Sequence, residues 1–257
     1  MELLVDNKNL GTSEERWQDS SRLTQLRPLE FLDARRIVVV APHPDDEVFG
    51  AGGLMRRALR EEVEVKIVAV TDGERSHPFL DPSESYELAQ RRISESREAL
   101  RRLGYAKPRI RRLHMPDGKV SQHRLELLGS LTATLREGDW FVAPWRFDGH
   151  PDHDVCGEVA RIASVATGAR LLSYFVWTWH WADPDSENIP WEACRQMQLS
   201  RRERACKRWA TMAFDSQTSP RDPLSSDEPV LPAPILRRFW RPNEVFVEES
   251  EVDDEIN

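Results

Sequence analysis

The sequence predicts an α/β fold in which a mostly parallel sheet is flanked by helices. Three observations carry this. Short β-branched runs recur from Arg36 onward, longer charged segments with helical spacing separate them, and loops dense in ionisable residues follow two of the runs. The runs are residues 37–41 (IVVVA), 65–71 (VKIVAVT), 109–115 (RIRRLHM), 140–145 (WFVAPW) and 170–179 (RLLSYFVWTW). Parallel neighbours need connections long enough for a helix, and the intervals between these runs provide them.

Taken in order, residues 1–33 are polar and mixed, with a short helix expected around Glu14 to Leu26 against the outside of the domain. Residues 85–103 place Ala89, Ile93, Ser96, Leu100 and Leu103 at three- and four-residue steps before Gly104, which reads as an amphipathic helix with a glycine stop. In FVWTWHWADP (175–184), alternation puts Phe175, Trp177, Trp179 and Trp181 on one face of a strand, and Thr178 and His180 on the other. An aromatic face of this kind serves a core or a subunit contact more often than a sugar. Residues 216–234, rich in Pro, Ser and Asp, read as an irregular surface loop. Val245 to Val247 read as an edge strand, and the closing EESEVDDEIN as a fraying tail. The expectation is one domain over 1–257 with its core in 36–217 and peripheral segments at 1–33 and 248–257.

The 257 residues carry a formal charge of −8, and acids and bases interleave along the helical segments. A nucleic-acid surface needs clustered, uncompensated Lys and Arg, so no nucleic-acid partner is expected. Cys156, Cys194 and Cys206 are odd in number and form no C-x-x-C pair, which suits a reducing cytoplasm. No uncharged apolar run approaches the roughly 20 residues that span a bilayer, and the N-terminus lacks a basic region followed by an apolar core. A cytoplasmic protein without a membrane partner is expected, and a homo-oligomer is left open.

The loop after the first run, APHPDDEVFGAGG (41–53), packs His43, Asp45, Asp46 and Glu47 into five positions. Ligands of open α/β sheets bind beyond the carboxyl ends of the strands. Pro42 and Pro44 stiffen His43, and a stiff histidine is a better metal ligand. Gly50, Gly52 and Gly53 allow a close backbone approach but do not make a G-x-G-x-x-G fingerprint. The fourth run leads into a second loop, Arg146-Phe147-Asp148-Gly149-His150-Pro151-Asp152-His153-Asp154. Pro151 suits a first helical position, which makes His150 the N-cap and places His153 in the first turn, where the positive helix end favours a neutral ring.

A single His-Pro-Asp is usually a turn with a capping aspartate. Two of them, each after an apolar run, supply a His₂-carboxylate set in His43, Asp46 and His153 with open positions for water and substrate, the pattern of a catalytic zinc site. Asp45 is then the candidate to take a proton from water. His150 is the candidate to stabilise or protonate what develops opposite, with Asp152 or Asp148 as its carboxylate partner. Asp72, at the end of the second run, either orients a ligand histidine or caps a turn. His77, His114 and His123 read as locally satisfied, Cys156 as core packing, and Ser216 and Gln217 as either site-lining or turn-forming residues.

These residues resemble the PIG-L/LmbE-like N-acetylglucosaminyl deacetylases, whose signature pairs P-H-P-D-D-E with a later G-H-P-D-H. The chain reads Pro42-His43-Pro44-Asp45-Asp46-Glu47 and Gly149-His150-Pro151-Asp152-His153. Lesser likeness runs through Thr71-Asp72-Gly73, residues 92–104, Met115-Pro116-Asp117-Gly118 and residues 207–217, so that about 36–217 is covered. The resemblance implies a Rossmann-like three-layer sandwich and a zinc-dependent hydrolase that removes an acetyl or related acyl group from the amine of a small glucosamine-containing compound. It implies His43, Asp46 and His153 as zinc ligands, Asp45 as general base, His150 as acid or oxyanion partner, and Arg92 and Asp117 as substrate contacts. Some relatives carry a tyrosine where this chain has Asp148, which leaves acyl preference open. Two other readings stand beside it. Two histidines and a carboxylate also hold Fe²⁺ in nonhaem oxygenases, and a sugar-binding protein without turnover would keep the same fold.

Overall fold

The computed structural model describes residues 10–31, 34–77, 79–220 and 228–249. In chain order it forms α1 (Glu14–Gln18), α2 (Arg22–Gln25), β1 (Arg27–Pro28), β2 (Arg36–Ala41), α3 (Asp46–Arg60), β3 (Glu64–Thr71), α4 (Pro82–Leu103), β4 (Arg109–Met115), α5 (Arg124–Thr132) and β5 (Trp140–Pro144). It continues with α6 (Pro151–Thr167), β6 (Arg170–Tyr174), α7 (Thr178–Trp181), β7 (Cys194–Gln198), α8 (Arg201–Thr211), α9 (Asp215–Thr218), α10 (Ala233–Arg237) and β8 (Asn243–Glu248). The strands make one sheet in the order β1-β7-β8-β6-β5-β2-β3-β4, in which β8 runs antiparallel to both of its neighbours and the other pairs are parallel.

Every residue of β2 and of β5 is buried, as expected where helices cover both faces of a parallel sheet. Ile37, Val39, Trp140 and Val142 face one layer with Leu54 and Leu100; Val38, Val40, Phe141 and Ala143 face the other with Leu127 and Leu131. This is the mostly parallel sheet flanked by helices that the alternation of runs predicts, layered as the family resemblance implies. From β2 the chain builds outward through β3 and β4, then returns to the other side of β2 for β5 and β6. Strand order therefore reverses between β2 and β5, and the crevice beyond their carboxyl ends is where a doubly wound sheet accepts a ligand.

Local chemistry explains the helix boundaries. Asp81 and Glu84 form a reciprocal capping box at the start of α4, and Gly104 at φ 110° ends it in the left-handed region. In α3 the helix breaks at Ala51 (φ −137°, ψ 18°), next to Gly50, which lies against the ring of Tyr174 where an added Cβ would stand 2.2 Å from the ring. The backbone groups freed by the break are satisfied from elsewhere in the chain. Lys207 Nζ donates to the Phe49 carbonyl at 2.8 Å, and Glu244 accepts from Gly53 and Leu54 N–H at 2.6 and 2.8 Å. Lys207 and Glu244 close the arrangement with a buried ion pair at 2.6 Å.

Four expectations need correction. The N-terminal residues do not merely lie outside the core: Trp17 is fully buried edge-on to Trp179 at 5.0 Å, Glu14 pairs with Arg241, and β1 joins the sheet. Val245 to Val247 belong to an internal strand rather than an edge, paired on both sides. The fifth strand stops at Tyr174, and Thr178–Trp181 is helical, so the chain turns and brings the rings of Phe175 and Trp179 to 5.2 Å from one another. The strand Cys194–Gln198 was not foreseen. Of the segment 216–234, part of α9 and the start of α10 are helical, and residues 221–227 lie outside the described residues, as do 250–257 of the tail.

Candidate metal centre

The loop after β2 and the loop after β5 meet in the crevice at the reversal point. His43 is carried by the first loop and Asp46 opens α3; His150 caps α6, its Nδ1 accepting from Asp152 N–H at 3.2 Å, and His153 follows in the first turn. Three donors from the two loops form a nearly equilateral triangle. His43 Nδ1 lies 3.2 Å from Asp46 Oδ2 and 3.2 Å from His153 Nε2, and His153 Nε2 lies 3.1 Å from Asp46 Oδ2. Donors held at about 2.0–2.1 Å from one tetrahedral cation stand roughly 3.3–3.4 Å apart, so this triangle fits a zinc-sized ion after shifts of a few tenths of an ångström.

The outer nitrogen of each ring meets a carboxylate. His153 Nδ1 lies 2.8 Å from Asp148 Oδ2, and His43 Nε2 lies 3.3 Å from Asp117 Oδ1 and 3.4 Å from Asp152 Oδ2. An N–H directed outward to a carboxylate leaves the inner nitrogen with its lone pair toward the triangle, the tautomer that a metal ligand requires. Asp152 is itself held by Gly118 and Val120 N–H at 2.7 and 3.2 Å. Asp148 is buried and accepts from Val176, Trp177 and Thr178 N–H and from the Thr178 hydroxyl at 2.7–3.0 Å.

Electrostatics follow from this crowding. Burial opposes charge on His43 and His153, yet the carboxylates beside them win: His43 is raised well above the ordinary histidine value and His153 is raised to about 9. Asp46 and Asp148 thus pull against the helix N-terminus, which favours a neutral His153 ring. Burial also pushes the Asp46 carboxyl up, but the imidazoles of His153 and His43 hold it well below the usual range. Asp45 moves the other way, raised to about 7 by burial against the opposing pull of Arg92, whose guanidinium sits 3.0 Å from Asp45 Oδ2. His150 is lowered to about 3 by burial and by the neighbouring rings of His43 and His153, so it is a neutral imidazole at neutral pH.

His43, Asp45, Asp46, Arg92, Asp117 and His150 line one cavity of about 420 Å³, together with Arg75, Ser76, Gln217 and a run of apolar side chains. Arg92 and Asp117 thus sit at the cavity, but each also touches a cluster residue: Arg92 touches Asp45, and Asp117 touches His43. Asp72 is placed elsewhere. Its carboxylate pairs with His114 Nδ1 at 2.6 Å and with Arg112, so the orienting role considered for it falls to Asp148 and Asp152. The partner sought for His150 is not found in either carboxylate, because both are committed to other groups. Ser216 donates to buried Glu95 at 2.6 Å, and its neighbour Gln217 reaches the cavity.

The family pattern described as PIG-L, GlcNAc-PI de-N-acetylase, matches residues 38–164. Over 131 residues the chain is 30% identical to the diacetylchitobiose deacetylase of Thermococcus kodakarensis, covering 49% of this chain and 48% of that protein. Over 171 residues it is 29% identical to the 1D-myo-inositol 2-acetamido-2-deoxy-alpha-D-glucopyranoside deacetylase of Mycobacteroides abscessus, covering 57% and 61%. The chain spans about half to three fifths of the length of these curated relatives. Among solved structures, N,N'-diacetylchitobiose deacetylase from Pyrococcus horikoshii superposes with a TM-score of 0.62 at 21% identity, covering 93% of each chain, a likeness of fold.

Proposed function

We propose, on the match of residues 38–164 to the PIG-L family pattern, that the chain is a zinc-dependent hydrolase removing an acetyl or related acyl group from the amine of a glucosamine-containing small molecule. The observation that carries this reading is the triangle of His43, Asp46 and His153 donors at 3.1–3.2 Å, with Asp45 beside it and outside it. The curated relatives named above are deacetylases of acetylated amino sugars, which supports the same substrate class.

A divalent cation bound by the triad would supply Lewis acidity toward the acyl oxygen and an acidified water. The chain's own residues handle the protons. Asp45 Oδ2 is tied to Arg92, which leaves Oδ1 to take a proton from the attacking water and return it to the leaving amine. A carboxyl near 7 is suited to both halves of that transfer at neutral pH. His150 uses Nδ1 to accept from Asp152 N–H, so its neutral ring carries hydrogen on Nε2. It therefore acts as a hydrogen-bond donor to the oxyanion rather than as a charged acid. Arg92 fixes the Asp45 carboxylate and Asp117 fixes His43, and both remain positioned at the cavity for substrate contact. These additions to the triad have a use in hydrolysis that an iron oxygenase would not require. Among the described residues no helix is long and apolar enough to cross a membrane. Three free cysteines, two of them buried, suit a reducing cytoplasm.

The test separates metal binding from proton transfer. Asp45→Ala should keep bound zinc while amine release from an N-acetylglucosaminide drops by at least about 100-fold, whereas His153→Ala should lose both. Equal metal loss in the two variants, measured by elemental analysis after gel filtration, would overturn the assignment.

A further inference from the structure

The cavity above the triad is lined by two unlike sets of side chains. Asp45, Asp117, His150 and Gln217 are among the polar ones; Phe49, Val176, Trp177, Val230, Leu231 and Phe239 are the apolar ones. The apolar set is anchored at several points. The Phe49 ring packs 4.7 Å from Phe239 and 5.6 Å from Phe214, Leu231 N–H donates to the Gln217 carbonyl at 2.8 Å, and Trp177 N–H donates to Asp148 at 3.0 Å. It also begins beside the chemistry. Phe49 stands one helical turn beyond Asp46 on α3, and the Asp148 oxygen that holds Trp177 N–H is the one that meets His153.

An amino-sugar ring is edged with hydroxyls, each of which loses its water on entering a cavity and needs a replacement partner. Phe49, Val176, Val230, Leu231 and Phe239 offer none, and Trp177 offers only its indole N–H. An apolar group placed against them leaves water without losing a hydrogen bond. The methyl of an acetyl group is too small to cover a wall contributed by four separate segments of the chain. Resting on the deacylase reading, we infer that the substrate carries an apolar group larger than this methyl within reach of the scissile amide, as the N-acyl chain itself or as an alkyl or aryl aglycone on the sugar.

Two substrate series given to the zinc-loaded protein, with free-amine release as the readout, test this. One series is glucosamine N-acylated with two to eight carbons; the other is N-acetylglucosamine carrying alkyl aglycones of one to eight carbons. In one arm kcat/KM should rise about threefold to fourfold per methylene over at least three added carbons, and the arm that rises identifies the source of the apolar group. Val230→Glu, at the partly exposed part of the wall, should flatten that slope; the wild-type series decides by itself if this variant fails to fold. A flat or falling slope in both arms, with acetyl release intact, overturns the inference alone. Amine release from no member of either series removes the deacylase reading, and the inference with it.

Discussion

Asp148 links the triad to the cavity wall through one carboxylate. It meets His153 Nδ1 at 2.8 Å while three backbone N–H groups and a hydroxyl from residues 176–178 fill its remaining lone pairs. Replacing such a partner of a ligand histidine typically costs 10–100-fold in metal affinity. Asp148→Asn should therefore weaken zinc binding by about that factor, read by competition with a chromophoric chelator, and should also disturb the turn carrying Trp177. The residues of the triangle were legible in the sequence because each motif is local: a strand end, a stiffened histidine and a helix start occur within a few positions. Asp148 was visible as a candidate partner of His150 and as the occupant of a tyrosine position, but not as the partner of His153, since the groups that hold it lie 28–30 residues further on and no spacing rule reaches them. Asp72 shows the converse. Its position at a strand end suggested a link to a ligand histidine, but β4 lies alongside β3 and brings His114 to it first.

The broken helix α3 depends on chemistry supplied by α8 and β8. Lys207→Met would leave buried Glu244 without its cation, and such half-pairs cost about 3–5 kcal/mol. Chemical denaturation should show a loss of that size, with much of it recovered in Lys207→Met/Glu244→Gln. At the start of α8, Glu203 lies in a capping box with Ser200 and also pairs with Arg57. Burial opposes its ionisation, but Arg57 and the Ser200 contacts lower it from 4.5 to about 2. A depressed carboxyl contributes stability above its unfolded pKa and loses it as pH falls toward the folded value. Tm should thus decline between about pH 4.5 and 2 partly through this group, and Glu203→Gln should show a shallower decline. Element types were readable for β2, β3, β4, β5 and α4, where period and caps agree. Residues 175–181 break the period-two reading because the chain turns at 176–177 into the short helix α7, which brings Trp179 back against Phe175. The choice was made by Asp148, which gathers the N–H groups of 176–178 into a turn.

At the scale of the whole molecule, the alternation of runs with helical segments was enough to foresee a parallel α/β sheet with its site beyond the β2 and β5 ends. Sequence alone did not show how the remaining strands attach. β8 reads VFV at its centre, a continuous apolar stretch that an internal strand requires, but its neighbours β6 and β7 are distant in sequence and its antiparallel sense has no local marker. A chain ending at residue 242 should fail to give a cooperative thermal transition, whereas the 257-residue chain should give one, as followed by circular dichroism. The reason is that β6 and β7 do not pair with each other and meet only through β8. On the ribosome this becomes a matter of timing. Both flanking strands emerge well before the piece that joins them, and their open edges are the kind that seek pairing with other chains. Synthesis must pass residue 248 before the sheet can close, so until then the nascent chain carries two strand edges open to pairing.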